Sequence, residues 1–223
     1  MSKIFISGID TDAGKSYCTA WYVNRLAAEG QTVITQKFIQ TGNVGRSEDI
    51  ELHRALTVGH LLDEDREGMT APVIFSYPAS AQLAARIDGR EIDLGVIDRA
   101  SDELQRRFDT VLIEGAGGLM VPLTDDFFAI DYVASRRLPL ILVVNAKLGS
   151  INHTILSLEA IKARGIQLAG VLYNTHFDND APIAADTHGF IARYLSRHFP
   201  DAFYLDVPSM QAPERQFKNE SRQ

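Results

Sequence analysis

The segment Gly8-Ile9-Asp10-Thr11-Asp12-Ala13-Gly14-Lys15-Ser16 directly follows the apolar run Ile4-Phe5-Ile6 and directly precedes a helical pattern. A glycine-rich turn from strand into helix presents successive backbone N–H groups and a helix N-terminus to phosphate oxygens. Lys15 adds a point charge for β- and γ-phosphates, and Ser16 a hydroxyl for Mg²⁺. The segment therefore reads as a nucleoside triphosphate site. Five residues separate Gly8 from Gly14, where the generic loop has four, so the first glycine is displaced.

Four further junctions, each at the end of an apolar run, carry residues with usable chemistry. Lys37-Phe38-Ile39-Gln40-Thr41-Gly42 places a lysine where it could stabilise charge developing on a transferred phosphoryl group or a carboxylate; otherwise it is a solvated strand-end lysine. Asp49, in Ser47-Glu48-Asp49-Ile50, could bind a metal, or simply complement the dipole of the helix it opens. Glu114-Gly115-Ala116-Gly117-Gly118 ends a third run. A carboxylate there can hold Mg²⁺ while glycines let backbone approach a substrate, and a buried strand-end acid with no partner would be costly. In Lys147-Leu148-Gly149-Ser150-Ile151-Asn152-His153, Ser150 or Asn152 could cap a helix, or the freed N–H groups could bind an anion. Asn174 could pair with a purine edge or form an Asx-turn.

These junctions need strands and helices in alternation to bring them together. Strand-length apolar runs recur at 4–7, 32–37, 110–114, 138–145, 168–174 and 202–207. They are continuous rather than alternating, as strands covered on both faces are. Helical patterns fall between them at 15–28, 94–107, 130–135, 151–163 and 184–197, with Gly30 and Gly165 as stops after two of them. The expectation is an α/β fold: one doubly wound domain over residues 1–212 on a mainly parallel sheet, followed by a polar tail, 213–223, that frays. Ligands of such a sheet bind at the carboxyl ends of its strands, where the residues above lie.

Composition narrows the function. The 223 residues are 45% hydrophobic with a net charge of −7, which argues against a nucleic-acid or anionic-membrane surface. No apolar run approaches the roughly 20 residues of a membrane span, and the chain reads as cytoplasmic. Cys18, the single cysteine, excludes an intrachain disulfide and reads as a small buried thiol.

With these residues assembled, the chain resembles the dethiobiotin synthetases over most of its length. The resemblance rests on Gly8 to Ser16 with its displaced glycine, Lys37 with Thr41-Gly42, Glu114 to Gly118, Lys147 to His153, and Asn174. It implies a P-loop NTPase-type fold and an ATP-dependent, Mg²⁺-requiring reaction of 7,8-diaminononanoate with CO₂, closing a ureido ring through a carbamic-phosphoric anhydride. Lys15, Lys37 and Thr11 would act on the carbamate and γ-phosphate, while Asp12, Ala13, Gly14, Lys15 and Ser16 would hold the nucleotide phosphates. Asn174 and Pro208 would form the adenine pocket, and Ser16, Asp49 and Glu114 would bind Mg²⁺. Thr41, Ser80, Gly117 and Gly118 would flank the diamine. Leu148, Gly149, Ser150 and Asn152 would bind its remote carboxylate across the interface of a homodimer. Two stretches depart from the family pattern: Lys37-Phe38 replaces Lys-Pro, and Ser80-Ala81-Gln82 replaces Ser-Pro-His.

Three other classes fit less well. Phosphate-loop switch ATPases commonly carry an extra lysine early in the loop, where this chain has Ile9-Asp10-Thr11. A ligase acting on a cobyrinate-like carboxylate would bring a glutamine-hydrolysing domain, for which 223 residues and one cysteine leave no room. A small-molecule kinase would want an arginine-bearing lid, and Arg86 and Arg90 lack that pattern. A related ligase acting on a different diamine or carboxylate remains a neighbouring reading.

Overall fold

The six apolar runs become six parallel strands in one sheet. They are β1 (Ser2–Gly8), β2 (Val33–Lys37), β5 (Thr110–Gly118), β6 (Leu140–Asn145), β7 (Leu168–Asn174) and β8 (Phe203–Val207), in the spatial order β2-β5-β1-β6-β7-β8. The structure is a computed structural model and describes residues 2–211; the expected tail at 213–223 lies outside them. Eight α-helices accompany the sheet among the described residues, with a short 3-10 turn at Thr175–Phe177: α1 (Lys15–Ala28), α2 (Glu48–Leu56), α3 (Asp63–Arg66), α4 (Ala81–Ile87), α5 (Leu94–Arg107), α6 (Ala129–Ser135), α7 (Ser150–Ala163) and α8 (Ala181–His198). A second, two-stranded sheet pairs β3 (Gln40–Thr41) with β4 (Ile74–Phe75). No helix among the described residues is long and apolar enough to cross a membrane.

Alternation along β1 divides the core between the two faces, because successive strand side chains point opposite ways. Phe5 joins Phe38 and Tyr132 on one face, with ring centroids 5.4 Å apart for Phe5–Phe38 and 4.6 Å for Phe38–Tyr132. Ile6 faces the other side, against Cys18, Tyr22 and Leu26 of α1 and the buried Leu112, Ile141 and Leu172. Both faces being covered is what made the central strands continuous apolar runs in the sequence.

Most boundaries move by one or two residues, and two move further for identifiable reasons. β5 does not stop at Glu114 but runs on to Gly118, because Gly8 pairs with Gly118 after a shift in register beyond Ile6. α8 starts at Ala181 rather than 184, since Asp180 caps it by accepting from Ile183 N at 3.0 Å and Pro182 fits the first turn. α2 is set by Ser47, whose hydroxyl accepts from Ile50 N at 3.2 Å and donates to Gln40 Oε1 at 2.6 Å, fixing Asp49 in the first turn beside β3.

The edge strand β8 depends on a missing side chain. A Cβ on Gly170 would sit 2.2 Å from the Phe203 ring, which stacks on Tyr22 with centroids 5.7 Å apart. Gly170→Ala is expected to destabilise the protein by roughly 1–3 kcal/mol through this overpacking. Adding Phe203→Ala should cost less than the two single losses summed, a coupling that denaturant titration of the three variants measures.

Candidate functional site

The loop's geometry follows from its glycines. Gly14 caps α1 with φ of 86°, and a Cβ there would lie 2.1 Å from Asn174 Nδ2, so glycine is required on both counts. The loop's own carbonyls hold the surrounding donors. Lys15 Nζ donates to Asp10 O and Thr11 O at 2.9 and 3.1 Å, and Lys147 Nζ donates to Asp12 O at 2.9 Å. Asn174 Nδ2 donates to Ala13 O at 3.1 Å. Burial pushes the Lys15 ammonium down to a pKa of about 8 against the partial support of Glu114.

Beside the loop stands a buried charge cluster. Lys37 and Glu114 face each other in register at the ends of β2 and β5, with Nζ 3.0 Å from Glu114 Oε1 and 3.1 Å from Gly115 O. Asp49 Oδ2 approaches the same ammonium to 2.5 Å. Ser16 Oγ lies 2.9 Å from Glu114 Oε1 and 3.2 Å from Asp49 Oδ1. Burial alone would depress the Lys37 pKa, but Glu114 and Asp49 outweigh it and hold the ammonium above the ordinary lysine range. Burial alone would raise the Glu114 pKa; Lys37 and His53 overcome that and hold it well below the carboxylate range. Both groups are therefore charged.

Ser16, Asp49 and Glu114 present two carboxylates and a hydroxyl around one point. These are hard oxygen donors, few in number, which suits Mg²⁺, an ion that keeps water and takes phosphate oxygens for its other positions. Among the described residues no three His, Cys, Asp or Glu side chains gather to make an all-protein metal cage.

A cavity of about 600 Å³ opens over the loop and the cluster. Thr11, Asp12 and Gly14 line it from the loop, Lys37, Asp49 and Glu114 from the cluster, and Thr41 and Gly117 from the adjoining strands. Asn174 and Pro208 close its far end together with His176, Phe177 and Met210. Asn174 is also an Asx-turn residue, its Oδ1 accepting from His176 N at 3.1 Å. One amide N–H and one lone pair remain for a base edge, so the two roles considered from sequence are compatible.

Other sequence candidates lie elsewhere. Leu148 and Gly149 line a separate shallow hollow with Pro182 and Ile183. Gly149, not Ser150 or Asn152, occupies the α7 cap position, with φ of 94° and no side-chain cap bond; the Ser150 hydroxyl instead donates to Asn145 O at 2.6 Å. Asn152 is exposed. Gly118 lines another hollow with Met120 and His153, and Ser80 is exposed at the start of α4, outside the main cavity. Arg90 packs on Phe75 and donates to Ile74 O at 2.7 Å, which is a structural task rather than a lid's.

His53, Arg54 and Phe177 escaped the sequence argument. His53 could have been found, because it lies four residues after Asp49 and so on the same helix face. Phe177 left no signal; it earns its place through the Lys147 ammonium 4.2 Å above its ring.

Comparison with known proteins decides the family. Residues 2–200 match an AAA-domain family model. An ATP-dependent dethiobiotin synthetase of Pasteurella multocida is 42% identical over 92% of this chain and 96% of its own length. One from Haemophilus ducreyi is 46% identical over 91% and 96%. The chain belongs to the dethiobiotin synthetase family. The MinC:MinD cell division complex of Aquifex aeolicus shares the fold, with a TM-score of 0.56 at 14% identity over 94% of this chain and 82% of that one. For a dethiobiotin synthetase the nucleotide is ATP.

The Lys15 pKa near 8 carries a testable sign. A bound triphosphate favours the ammonium, so above about pH 8 binding must take up a proton. Affinity for ATP in metal-free buffer should fall as pH rises past about 8, by up to tenfold per pH unit. Calorimetry in buffers of different ionisation heats measures the uptake; affinity independent of pH with no proton taken up would show that Lys15 stays charged throughout.

Proposed function

We propose that this chain converts 7,8-diaminononanoate, CO₂ and ATP into dethiobiotin, ADP and phosphate. One amine of the diamine adds to CO₂ and loses a proton, giving a carbamate. A carbamate oxygen attacks the γ-phosphorus and ADP leaves, forming a carbamic-phosphoric anhydride. The second amine then attacks the carbonyl carbon, and phosphate leaves as the ring closes.

The observation that carries this reading is the position of the Lys37 ammonium. It is buried and held charged beside Ser16, at the edge of the phosphate loop and facing the cavity. An ammonium there can neutralise a carbamate as it meets the γ-phosphate, and Lys15 and Thr11 approach from the loop side. No covalent enzyme intermediate is needed. Cys18 supports that, since burial pushes its thiol pKa up and leaves it inert.

Within this proposal Ser16, Asp49 and Glu114 hold Mg²⁺, which when bound neutralises the β- and γ-phosphate oxygens. Asp12, Ala13 and Gly14 hold the phosphates through backbone N–H groups, and Asn174 and Pro208 hold the adenine. Thr41, Gly117 and Gly118 flank the diamine, with Ser80 reaching it only if the segment before α4 moves in. Leu148, Gly149, Ser150 and Asn152 receive the diamine's carboxylate across a homodimer interface. The uncapped α7 N-terminus supports an anion there, and Leu148, 90% exposed, supports a covering subunit. The synthetase domain spans residues 1–212, and the enzyme works in the cytoplasm.

ADP release should require the diamine, CO₂ and Mg²⁺ together. Phosphate release that is equally fast without the diamine, or that is stimulated by a protein partner instead, would overturn the proposal in favour of a switch ATPase. Lys37→Gln keeps a hydrogen-bond donor beside Glu114 and removes the charge. It should slow ring closure by about 10²–10³-fold while ATP binding stays measurable. Quenched-flow product assay and calorimetry separate the two effects.

A further inference from the structure

The cluster's anionic side is held from behind by a chain of buried polar groups that the reaction itself does not use. His53 Nε2 lies 2.8 Å from Glu114 Oε2, the oxygen turned away from Ser16 and Lys37. The other ring nitrogen, Nδ1, lies 3.1 Å from Thr35 Oγ1. Thr35 Oγ1 accepts from Arg54 Nη1 at 2.8 Å. Arg54 is clamped by Asp65 through Nε and Nη2 at 2.8 and 2.9 Å, and Asp65 also accepts from Thr70 Oγ1 and Leu62 N. His53 and Glu114 are fully buried, and Arg54 is 3% exposed.

Donor accounting fixes the two ends of this chain. An ionised carboxylate only accepts, so Nε2 carries a proton to Glu114. The Arg54 guanidinium only donates, so the Thr35 hydroxyl accepts from it, and with its second lone pair and its own proton it can bond Nδ1 as acceptor or as donor. Either way the ring is held at both nitrogens, which fixes its orientation and leaves Glu114 Oε2 committed.

We infer that His53, oriented by Thr35, is a positioning residue that aims Glu114 Oε1 at the divalent-cation site formed with Ser16 and Asp49. The inference rests on the metal assignment proposed above. It goes beyond that assignment by naming the group that makes Glu114 a preorganised ligand rather than a rotatable one.

The test measures Mn²⁺ binding by electron paramagnetic resonance in the presence of a non-hydrolysable ATP analogue, with no diamine, on the full-length protein and its His53→Ala and His53→Gln variants. Expected is a tenfold or greater loss of Mn²⁺ affinity in His53→Ala and recovery to within a few-fold in His53→Gln, whose amide nitrogen can replace Nε2. In turnover, the Mg²⁺ concentration for half-maximal rate should rise in His53→Ala while KM for the diamine stays fixed. Unchanged Mn²⁺ affinity in His53→Ala, or equal losses in the Ala and Gln variants, overturns the inference. If His53→Ala does not fold, Thr35→Val takes its place: weaker Mn²⁺ binding sustains the inference, and parent-like binding overturns it. Because Mn²⁺ loading needs no diamine, a wrong substrate would leave this result standing, whereas failure of dethiobiotin formation alone would count only against the proposed reaction.

Discussion

Everything at the carboxyl end of the sheet depends on keeping two opposite charges buried side by side at Lys37 and Glu114. Either one alone would be driven to its neutral form, because an unpaired buried ion costs several kcal/mol. Adjacent strands in register bring Nζ and Oε1 to 3.0 Å, and the two pKa values move apart so that both charges survive. Asp49 adds a second carboxylate to the cluster and Lys15 a second ammonium beside it, so the charges around Ser16 balance two against two. The strand order β2-β5-β1 is thus an electrostatic requirement as well as a packing one: it sets the ammonium, the carboxylate and the phosphate loop on three neighbouring strands.

The same constraint explains which parts of the molecule could be read from the chain. The central strands announced themselves because a strand buried on both faces is apolar along its length, as β6 is from Leu140 to Val144, whereas the edge strand β8 is mostly half-buried with Asp206 exposed. β3 and β4 are two residues each, shorter than any period that alternation can reveal, and they exist because Gln40 and Thr41 find Ile74 and Phe75 across the fold. The extension of β5 through its glycines was equally hidden. Glycine disfavours strands, and only pairing with Gly8 keeps Gly118 extended.

In the site, residues whose job is set by local position were visible, and residues whose job is set by a distant partner were not. Lys15, Ser16, Lys37 and Glu114 stand at strand ends or on the loop, where topology alone gives them a ligand to face. His53 faces Glu114 across 61 positions of sequence. Arg54 reads as an ordinary helix-surface arginine until Asp65 and Thr35 enclose it. Leu148 to Asn152 and Ser80 were named through family resemblance, and in the single chain they stand apart from the main cavity.

The fold is shared with the MinC:MinD complex at 14% identity, and a fold by itself names no chemistry. The chemistry of this chain lies in the way its donors wait. Lys15, Lys147 and Asn174 all rest on carbonyls of the loop, at Asp10, Thr11, Asp12 and Ala13. Neutral carbonyls satisfy these groups enough to keep them ordered, yet a phosphate oxygen makes a charge-assisted bond about twice as strong. The loop therefore needs no large rearrangement to receive a triphosphate, because exchanging a weaker acceptor for a stronger one suffices. Lys37 differs in that Glu114 and Asp49 already hold it with full charges. Its third N–H rests on the Gly115 carbonyl, a neutral acceptor that an anion arriving beside the γ-phosphate can displace.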